Sequence, residues 1–357
     1  MSSQSHTHSD RSEPARRDAP IRVVPVGIGE MGKKLCLTLL QKEGVEIVAA
    51  CDKDPAIAGR DLGAVIGSPE KLGIVVEKSV DEVFKDAGAD VALYCTVTGL
   101  DELYPMVLPA LAAGCDVIST SEVLSFPIRK DPEYTQKLDA AARQHGVSIL
   151  GSGIYPGYLP DAIPIIATAG CRDIEHIDIK SFGDVYPYGP TVWKGMGLGL
   201  TVEEYERQFG NEVDIEFTEP PEHVIAATGL RLDEIREQNE WLVAPHDIKV
   251  GALEIGKGTV SGFSQTTTGF IGGREVIRQN IIGDLCSELP PFWVEVSITG
   301  KPNVKLRLDL VHEDGWSTST VMINMIPRVM KARPGLVSMK DLQLPSAIQG
   351  DMREFLR

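Results

Sequence analysis

At 357 residues the chain is long enough for two domains at the usual ~100–200 residues each. Its 43% hydrophobic and 24% charged residues exclude a largely disordered, collagenous or coiled-coil protein. With 51 Asp and Glu against 35 Lys and Arg, the formal charge of -16 makes nucleic acid and anionic membrane surfaces poor partners.

Residues 1–20 read as a disordered tail without the apolar core of a secretory signal, and no window of ~18 apolar residues follows, so a cytoplasmic location is the default. His6 and His8 in that tail read as solvated side chains, and nothing in the sequence calls for a metal. From Ile21 onward, β-branched runs alternate with amphipathic stretches, the signature of βαβ units feeding a parallel sheet. Strands are expected at Ile21–Val26, Glu46–Cys51, Ile74–Val76, Val91–Cys95, Asp116–Ser119 and Val147–Leu150. Helices are expected through Met31, Leu35 and Leu39, through Leu103, Val107 and Leu111, and over roughly 132–145. Past about Gly170 the rhythm gives way to long alternating segments at Ile174–Phe182, Lys249–Phe263 and Phe292–Thr299, which predict a mixed sheet. Helical patterning returns only near Val202–Gln208 and Asp233–Asn239. The Gly-rich span Tyr186–Leu200 does not suit a regular helix and reads as a functional or mobile loop. Cysteines at 36, 51, 95, 115, 171 and 286, with no C-x-x-C pair, read as reduced and largely buried thiols.

Gly27-Ile28-Gly29-Glu30-Met31-Gly32 lies between the first strand and the first helix and matches G-x-G-x-x-G in the context that gives the motif meaning. Gly27 permits the turn, Gly29 lets the backbone approach a pyrophosphate, and Gly32 lets helix and strand close up. The helix N-terminus offers N–H groups to the phosphates. Asp52, at the end of the second strand, is spaced to accept hydrogen bonds from an adenosine ribose. Lys53 and Arg60 stand close enough in sequence to attract a 2′-phosphate that Asp52 would repel, but ordinary surface charge is the better reading of both, so the cofactor reads as NAD(P)H without a preference. Thr96 and Ser119 complete the expected cofactor-binding set at the ends of their strands.

Glu122 ends the segment Val117–Glu122 beyond the carboxyl end of a parallel strand, where a nicotinamide and a substrate would meet. A carboxylate there suits a nitrogen substrate, because it pairs with an ammonium or iminium and passes a proton; an exposed loop or helix-cap glutamate is the other reading, and the one the residues alone favour. Gly151–Asp161 follows the last strand of the alternating region and reads equally as a turn leading backbone amides and two tyrosines, Tyr155 and Tyr158, into the crevice or as a rigid linker turn with packed aromatics.

The sequence resembles the 2,4-diaminopentanoate dehydrogenases and the related NAD(P)H-dependent native amine dehydrogenases. The blocks that carry the resemblance are GIGEMG, GVEIVAACDKDPAIAGRDLGAVIG (44–67), DVISTSEVLSFP (116–127), GSGIYPGYLPDAIP (151–164) and IPRVMKARPGLVSMKDLQLP (326–345). Where relatives often carry Asn before the Pro-Gly of the fourth block, this chain has Tyr155. The resemblance implies an N-terminal Rossmann domain, a C-terminal α+β mixed-sheet domain used for homodimerisation, a pocket between them, and Glu122 as catalytic acid. The expected division is a 21–155 dinucleotide-binding domain, a 156–330 substrate and dimerisation domain, and a 331–357 segment returning to the Rossmann domain. Tyr155, Tyr158, Tyr188, Trp193 and Met196 are the expected pocket walls; a 2,4-diaminopentanoate substrate would need a cation near its carboxylate, for which Arg172, Arg274, Arg278 and Arg333 are unranked candidates. The activity implied is reversible oxidative deamination of an amine to a ketone or aldehyde and ammonia. An imine or carbonyl reductase on the same scaffold and a non-catalytic dinucleotide sensor stay open as alternatives.

Overall fold

Successive residues of a strand point to opposite faces, so runs apolar at every position fit only a sheet covered on both sides. The first half meets that condition. The computed structural model describes residues 18–210, 217–251, 253–285, 292–311 and 315–356. In it, β1 (Ile21–Val26), β2 (Val45–Ile47), β3 (Ala50–Cys51), β4 (Val76–Glu77), β5 (Val91–Tyr94), β6 (Asp116–Ser119) and β7 (Ser148–Gly151) run parallel. The expected second strand is thus two short ones, and the third is confined to Val76–Glu77 because Val75 bridges antiparallel to Asp61. Val23, Leu93, Ile118 and Leu150 face one core and Val24, Ala92, Val117 and Ile149 the other. Helices Glu30–Leu39 and Ser317–Met330 cover the first face; Leu100–Ala112 and Pro132–His145 cover the second.

The second half contributes β8 (Asp173–Asp184), β9 (Glu234–Val243), β10 (Ile248–Val250), β11 (Leu253–Ile255), β12 (Val260–Ile271), β13 (Arg274–Asp284), β14 (Phe292–Lys301) and β15 (Val304–Leu310), and β16 (Gly335–Val337) returns to the first sheet beside β7. The first sheet has the order β16-β7-β6-β5-β1-β3-β4, and the second, β15-β14-β8-β13-β12-β9, is antiparallel except for the β8–β13 pair. These are an α/β Rossmann sheet and a mixed α+β sheet, as the alternation predicts. One face of the second sheet packs Ile177, Ile179, Ile277, Val294 and Val296 under helices Ala162–Thr168 and Glu219–Ala227. On the other face, Asn280 donates to the hydroxyls of Ser264 and Thr266, and Phe182 stacks on Trp293.

Further expectations change: Lys249–Phe263 is not one strand but divides among β10, β11 and the start of β12. Asp233–Asn239 is not helical: it begins β9, an edge strand whose Glu and Arg side chains alternate outward, because pairing with β12 outweighs the helix preference of those residues. The 186–200 span is not wholly irregular either; a 3-10 turn at Tyr186–Tyr188 leads into a six-residue helix, Pro190–Gly195, which Gly189 at φ 85° and Pro190 initiate. The predicted helices over 132–145 and near 202–208 are present as Pro132–His145 and Val202–Phe209. Cys36, Cys51 and Cys115 are buried and Cys95 and Cys171 half-buried, all five as free thiols; Cys286 and the tail histidines lie outside the described residues.

Candidate active site

The chain leaves β1 in one direction toward β2–β4 and then crosses to the opposite side of β1 at β5, so the strand order reverses at the carboxyl ends of β1 and β5. In an open α/β sheet this is where a crevice forms. A groove of about 710 Å³ opens there, lined by Gly27, Gly29, Asp52, Lys53, Lys78 and Thr96 among others. The glycines divide their work as the motif requires. A Cβ on Gly27, whose φ is +85°, would lie 2.3 Å from the Cys95 carbonyl oxygen, and one on Gly32 would lie 1.9 Å from the Gly27 oxygen. Around Gly29 the space is open, which leaves the helix N-terminus accessible to a pyrophosphate. Asp52 is held at the groove by two backbone donors, Ile28 N–H to Oδ2 at 2.5 Å and Asp54 N–H to Oδ1 at 2.8 Å.

The remaining cofactor candidates are placed less directly. Ile28 is fully buried with its side chain in the core, and Glu30 pairs with Lys33 at 3.2 Å on the first turn of the helix that also holds Met31 and Gly32. Ser119 is buried at the end of β6 and its Oγ accepts the Ser121 N–H at 3.1 Å, so it serves the turn that carries Glu122 rather than lining the groove. Arg60 does not line the groove: its Nη1 donates to the Ala56 carbonyl at 3.1 Å, and Lys78 is the cation found there beside Lys53.

Glu122 is fixed by the turn around it. Ser121 Oγ donates to the Thr98 carbonyl at 2.5 Å, and Val123–Ser125 form a 3-10 turn that lies against β7 at Gly151, where a Cβ would meet the Leu124 carbonyl carbon at 2.4 Å. Its carboxyl lines a cavity of about 90 Å³ with Tyr155, Tyr188, Val192, Met196, Phe217, Phe263 and Phe292. Gly183 of β8 and Gly283 of β13 form part of the lining, so the rings of Phe292 and Phe263 lie directly against the sheet. Burial in this apolar setting pushes the Glu122 carboxyl up to about 7, with Glu219 adding to the rise and Lys130 opposing it. Such a carboxyl changes protonation state near neutral pH. Burial also raises the Tyr155 phenol.

Tyr155, Tyr188 and Met196 therefore meet Glu122, whereas Trp193 and Tyr158 do not line this cavity. The Trp193 ring stacks on Tyr186 at 5.2 Å and its Nε1 donates to the Val185 and Tyr186 carbonyls, which holds it behind the wall. Tyr158 packs between the cores of the two sheets. Arg172 and Arg274 line a different surface cavity, Arg278 pairs with Glu275 at 2.9 Å, and Arg333 lies in a cleft beside Ser338. Among the described residues lining the Glu122 cavity there is no Lys, Arg or His.

A group the sequence did not single out holds the crevice together. Asp161 and His223 are fully buried; Asp161 Oδ2 accepts from His223 Nδ1 at 3.1 Å, and Oδ1 accepts the Gly157 and Ala162 amides at 3.0 and 2.9 Å. His223 Nε2 accepts the Lys340 amide at 3.3 Å and its ring stacks on Phe126 at 4.7 Å. The imidazole thereby joins the Tyr155 loop, the Glu122 turn and the C-terminal segment.

Residues 158–357 match the family model of the 2,4-diaminopentanoate dehydrogenase C-terminal domain. The chain belongs to that family. Residues 21–120 match the model of the dihydrodipicolinate reductase N-terminus. The 2,4-diaminopentanoate dehydrogenase of Acetoanaerobium sticklandii is 30% identical over 94% of this chain and 97% of its own length. The amine dehydrogenase of Streptomyces virginiae is 22% identical over 92% of this chain and 98% of its own. The solved structure of an amine dehydrogenase from Mycobacterium smegmatis superposes with a TM-score of 0.85 at 25% identity, covering 94% of this chain and all of that one. This member of the 2,4-diaminopentanoate dehydrogenase family is an NAD(P)-dependent oxidoreductase acting on amine donors. No helix among the described residues is long and apolar enough to cross a membrane.

Proposed function

We propose that the physiological reaction is reversible oxidative deamination of a small, largely apolar primary amine, with Glu122 as the acid–base group. The observation that carries this reading is a carboxyl ionising near pH 7, set among aromatic walls one strand away from the dinucleotide groove. The bound nicotinamide supplies hydride transfer; the groove residues Gly27 to Gly32, Asp52, Lys53 and Thr96 hold the dinucleotide, and Ser119 holds the Glu122 turn. Ionised Glu122 takes a proton from the substrate ammonium and gives it up toward solvent; as a carboxylate again, it faces the positive iminium once hydride has left and deprotonates the water that attacks it. Tyr155, Tyr188, Met196 and the phenylalanines exclude bulk water and shape the cavity around the substrate carbon chain. A 2,4-diaminopentanoate carboxylate would find no cation among the described residues of that lining, so the substrate proposed here has no acid group.

The same reading takes the 21–155 and 156–330 portions as dinucleotide and substrate domains, except that helix Ser317–Met330 packs, with 331–357, on the first. The polar outer face of the second sheet is the proposed homodimer contact, and the cytoplasm the proposed location. The test is NAD(P)H oxidation with acetone, cyclohexanone and small aldehydes, with and without high ammonium, in wild type and Glu122→Ala. Oxidation that requires ammonium and is lost in the variant supports the assignment. Equal rates without ammonium would replace it with carbonyl reduction, and cofactor binding without turnover would indicate a sensor.

A further inference from the structure

Oxidative deamination as proposed above, on which this inference rests, converts an ammonium, an oxidised nicotinamide and water into a carbonyl compound, ammonium, reduced nicotinamide and one proton. That proton must leave Glu122 every turnover. Among the described residues, the other side chains lining the aromatic cavity carry no polar group except the phenols of Tyr155 and Tyr188, and none of them is charged. On the other side of the Phe217–Thr218 segment the situation is reversed. A second cavity, of about 270 Å³, is lined by Lys130, Thr218, Glu219, Glu222 and Glu237, with Phe126 as its apolar edge. Phe217 faces the first cavity and Thr218 the second, so consecutive residues form the partition. Its polar lining and volume suit a group of waters.

Glu219 sits at the start of helix Glu219–Ala227, which packs against the turn that follows Glu122. Its side chain is 2% exposed and lies 3.5 Å from Lys130 Nζ, which is itself 30% exposed. A carboxylate this buried is costly unless a charge partner or a function compensates it. The neighbouring Glu222 is already matched by Arg129 at 3.1 Å. The charged groups facing Glu122 are Glu219 and Lys130, and the phenols of Tyr155 and Tyr188 share its cavity.

We propose that Glu219 is a positioning and relay residue for the reaction: it receives the proton that Glu122 has taken from substrate and releases it through the Lys130-lined cavity to solvent. In the balanced step, the O–H bond at Glu122 breaks as an O–H bond at Glu219 forms, directly or through water. Glu219 then returns to its carboxylate by loss of the proton to cavity water, and no redox partner is involved. In reductive amination the proton travels inward along the same groups.

The experiment compares wild type, Glu219→Gln, Glu219→Ala, Glu219→Asp and Lys130→Met for ammonium-dependent reduction across pH, and titrates the Glu122 carboxyl directly by infrared difference spectra against Glu122→Gln. Glu219→Gln removes a negative neighbour and moves the Glu122 transition to lower pH; Lys130→Met moves it to higher pH, each by about one pH unit. The turnover of Glu219→Ala falls about tenfold and recovers with rising formate or imidazole buffer concentration, whereas Glu219→Asp retains buffer-independent turnover. Transitions that stay in place in both variants overturn the coupling. Moved transitions without buffer rescue overturn the relay and leave Glu219 a fixed charge. Should Glu219 variants not fold, Lys130→Met tests whether the charges of the second cavity reach Glu122 at all, and an unmoved transition there refutes the link between the two cavities on which the relay depends. A wild type without ammonium-dependent turnover would refute the amine reading, while the infrared titration would still report on the Glu122–Glu219 pair.

Discussion

Gly183 and Gly283 are register partners across the parallel β8–β13 pair, and neither has room for a Cβ: one on Gly183 would come within 3.0 Å of the Phe292 ring and one on Gly283 within 2.4 Å of the Phe263 ring. Two bare positions thus let two aromatic rings rest on the sheet and set the depth of the cavity. Gly283→Ala should push Phe263 into the cavity, cost about 1–3 kcal/mol of stability, and lower kcat/KM for branched ketones much more than for acetone. Equal losses for both substrates would show that the ring has moved elsewhere.

The fingerprint glycines separate folding from binding. Gly32→Ala places a methyl against the Gly27 carbonyl oxygen and should cost about 3 kcal/mol or more in a denaturant melt. Gly29→Ala has open space around it and a φ of -72°, so the fold should be retained within about 0.5 kcal/mol. Its expected effect is on the dinucleotide, whose KM should rise about tenfold, the equivalent of about 1.4 kcal/mol.

Ionising Glu122 costs stability. Its folded value of about 7 lies above the ordinary 4.5, so the folded state holds the proton more tightly than the unfolded chain does. The cost accumulates as pH rises from the ordinary value to the folded one and is constant above it. Glu122→Gln should therefore be more stable than wild type at pH 8, by on the order of 3 kcal/mol, and lose that advantage toward pH 4. Thermal melts across that range check the sign; an advantage that grows on acidification would contradict it.

Asp52, Lys53 and Lys78 line the groove and are the proposed determinants of cofactor choice. Asp52→Ser removes the charge that repels a 2′-phosphate and should raise the NADP+ over NAD+ ratio of kcat/KM about tenfold. Lys78→Ala should lower the same ratio, and steady-state assays with both cofactors distinguish the two effects.

His223→Leu keeps the stacking volume against Phe126 approximately filled but leaves Asp161 a buried carboxylate without its imidazole. A loss of about 3–5 kcal/mol is expected, and the double variant Asp161→Asn, His223→Leu should recover part of it. Chemical denaturation of the three proteins measures the coupling.

The sequence made the first sheet legible because its signals are local: apolar strands, the fingerprint at a strand–helix junction, and an acid just past a strand end. Glu122 and Tyr155 were accessible to the same reasoning. Trp193 and Tyr158 were misjudged because position in a loop does not fix the direction of a side chain, and Trp193 turned to satisfy its indole N–H on two carbonyls. Phe263, Phe292 and the glycines beneath them enter through pairings between strands distant in sequence. Glu219 and His223 lie on a helix whose Glu-Pro-Pro-Glu-His opening masks its periodicity, and the charges of β9 resemble an exposed helix until β12 supplies the partner.

The nucleotide-binding sheet takes its outermost strand, β16, and one covering helix, Ser317–Met330, from the far end of the chain. Met322, Ile323, Met325 and Ile326 of that helix are fully buried beside Ile21 and Val23. During synthesis the glycine turn and Asp52 therefore emerge long before the surface that shields their sheet, and a ribosome that stops after β15 releases a chain whose first core is open to water. The ability to hold a dinucleotide is acquired last, when the carboxyl-terminal residues close over the amino-terminal ones, so loss of the final forty residues should abolish a function whose fingerprint lies within the first fifty-five.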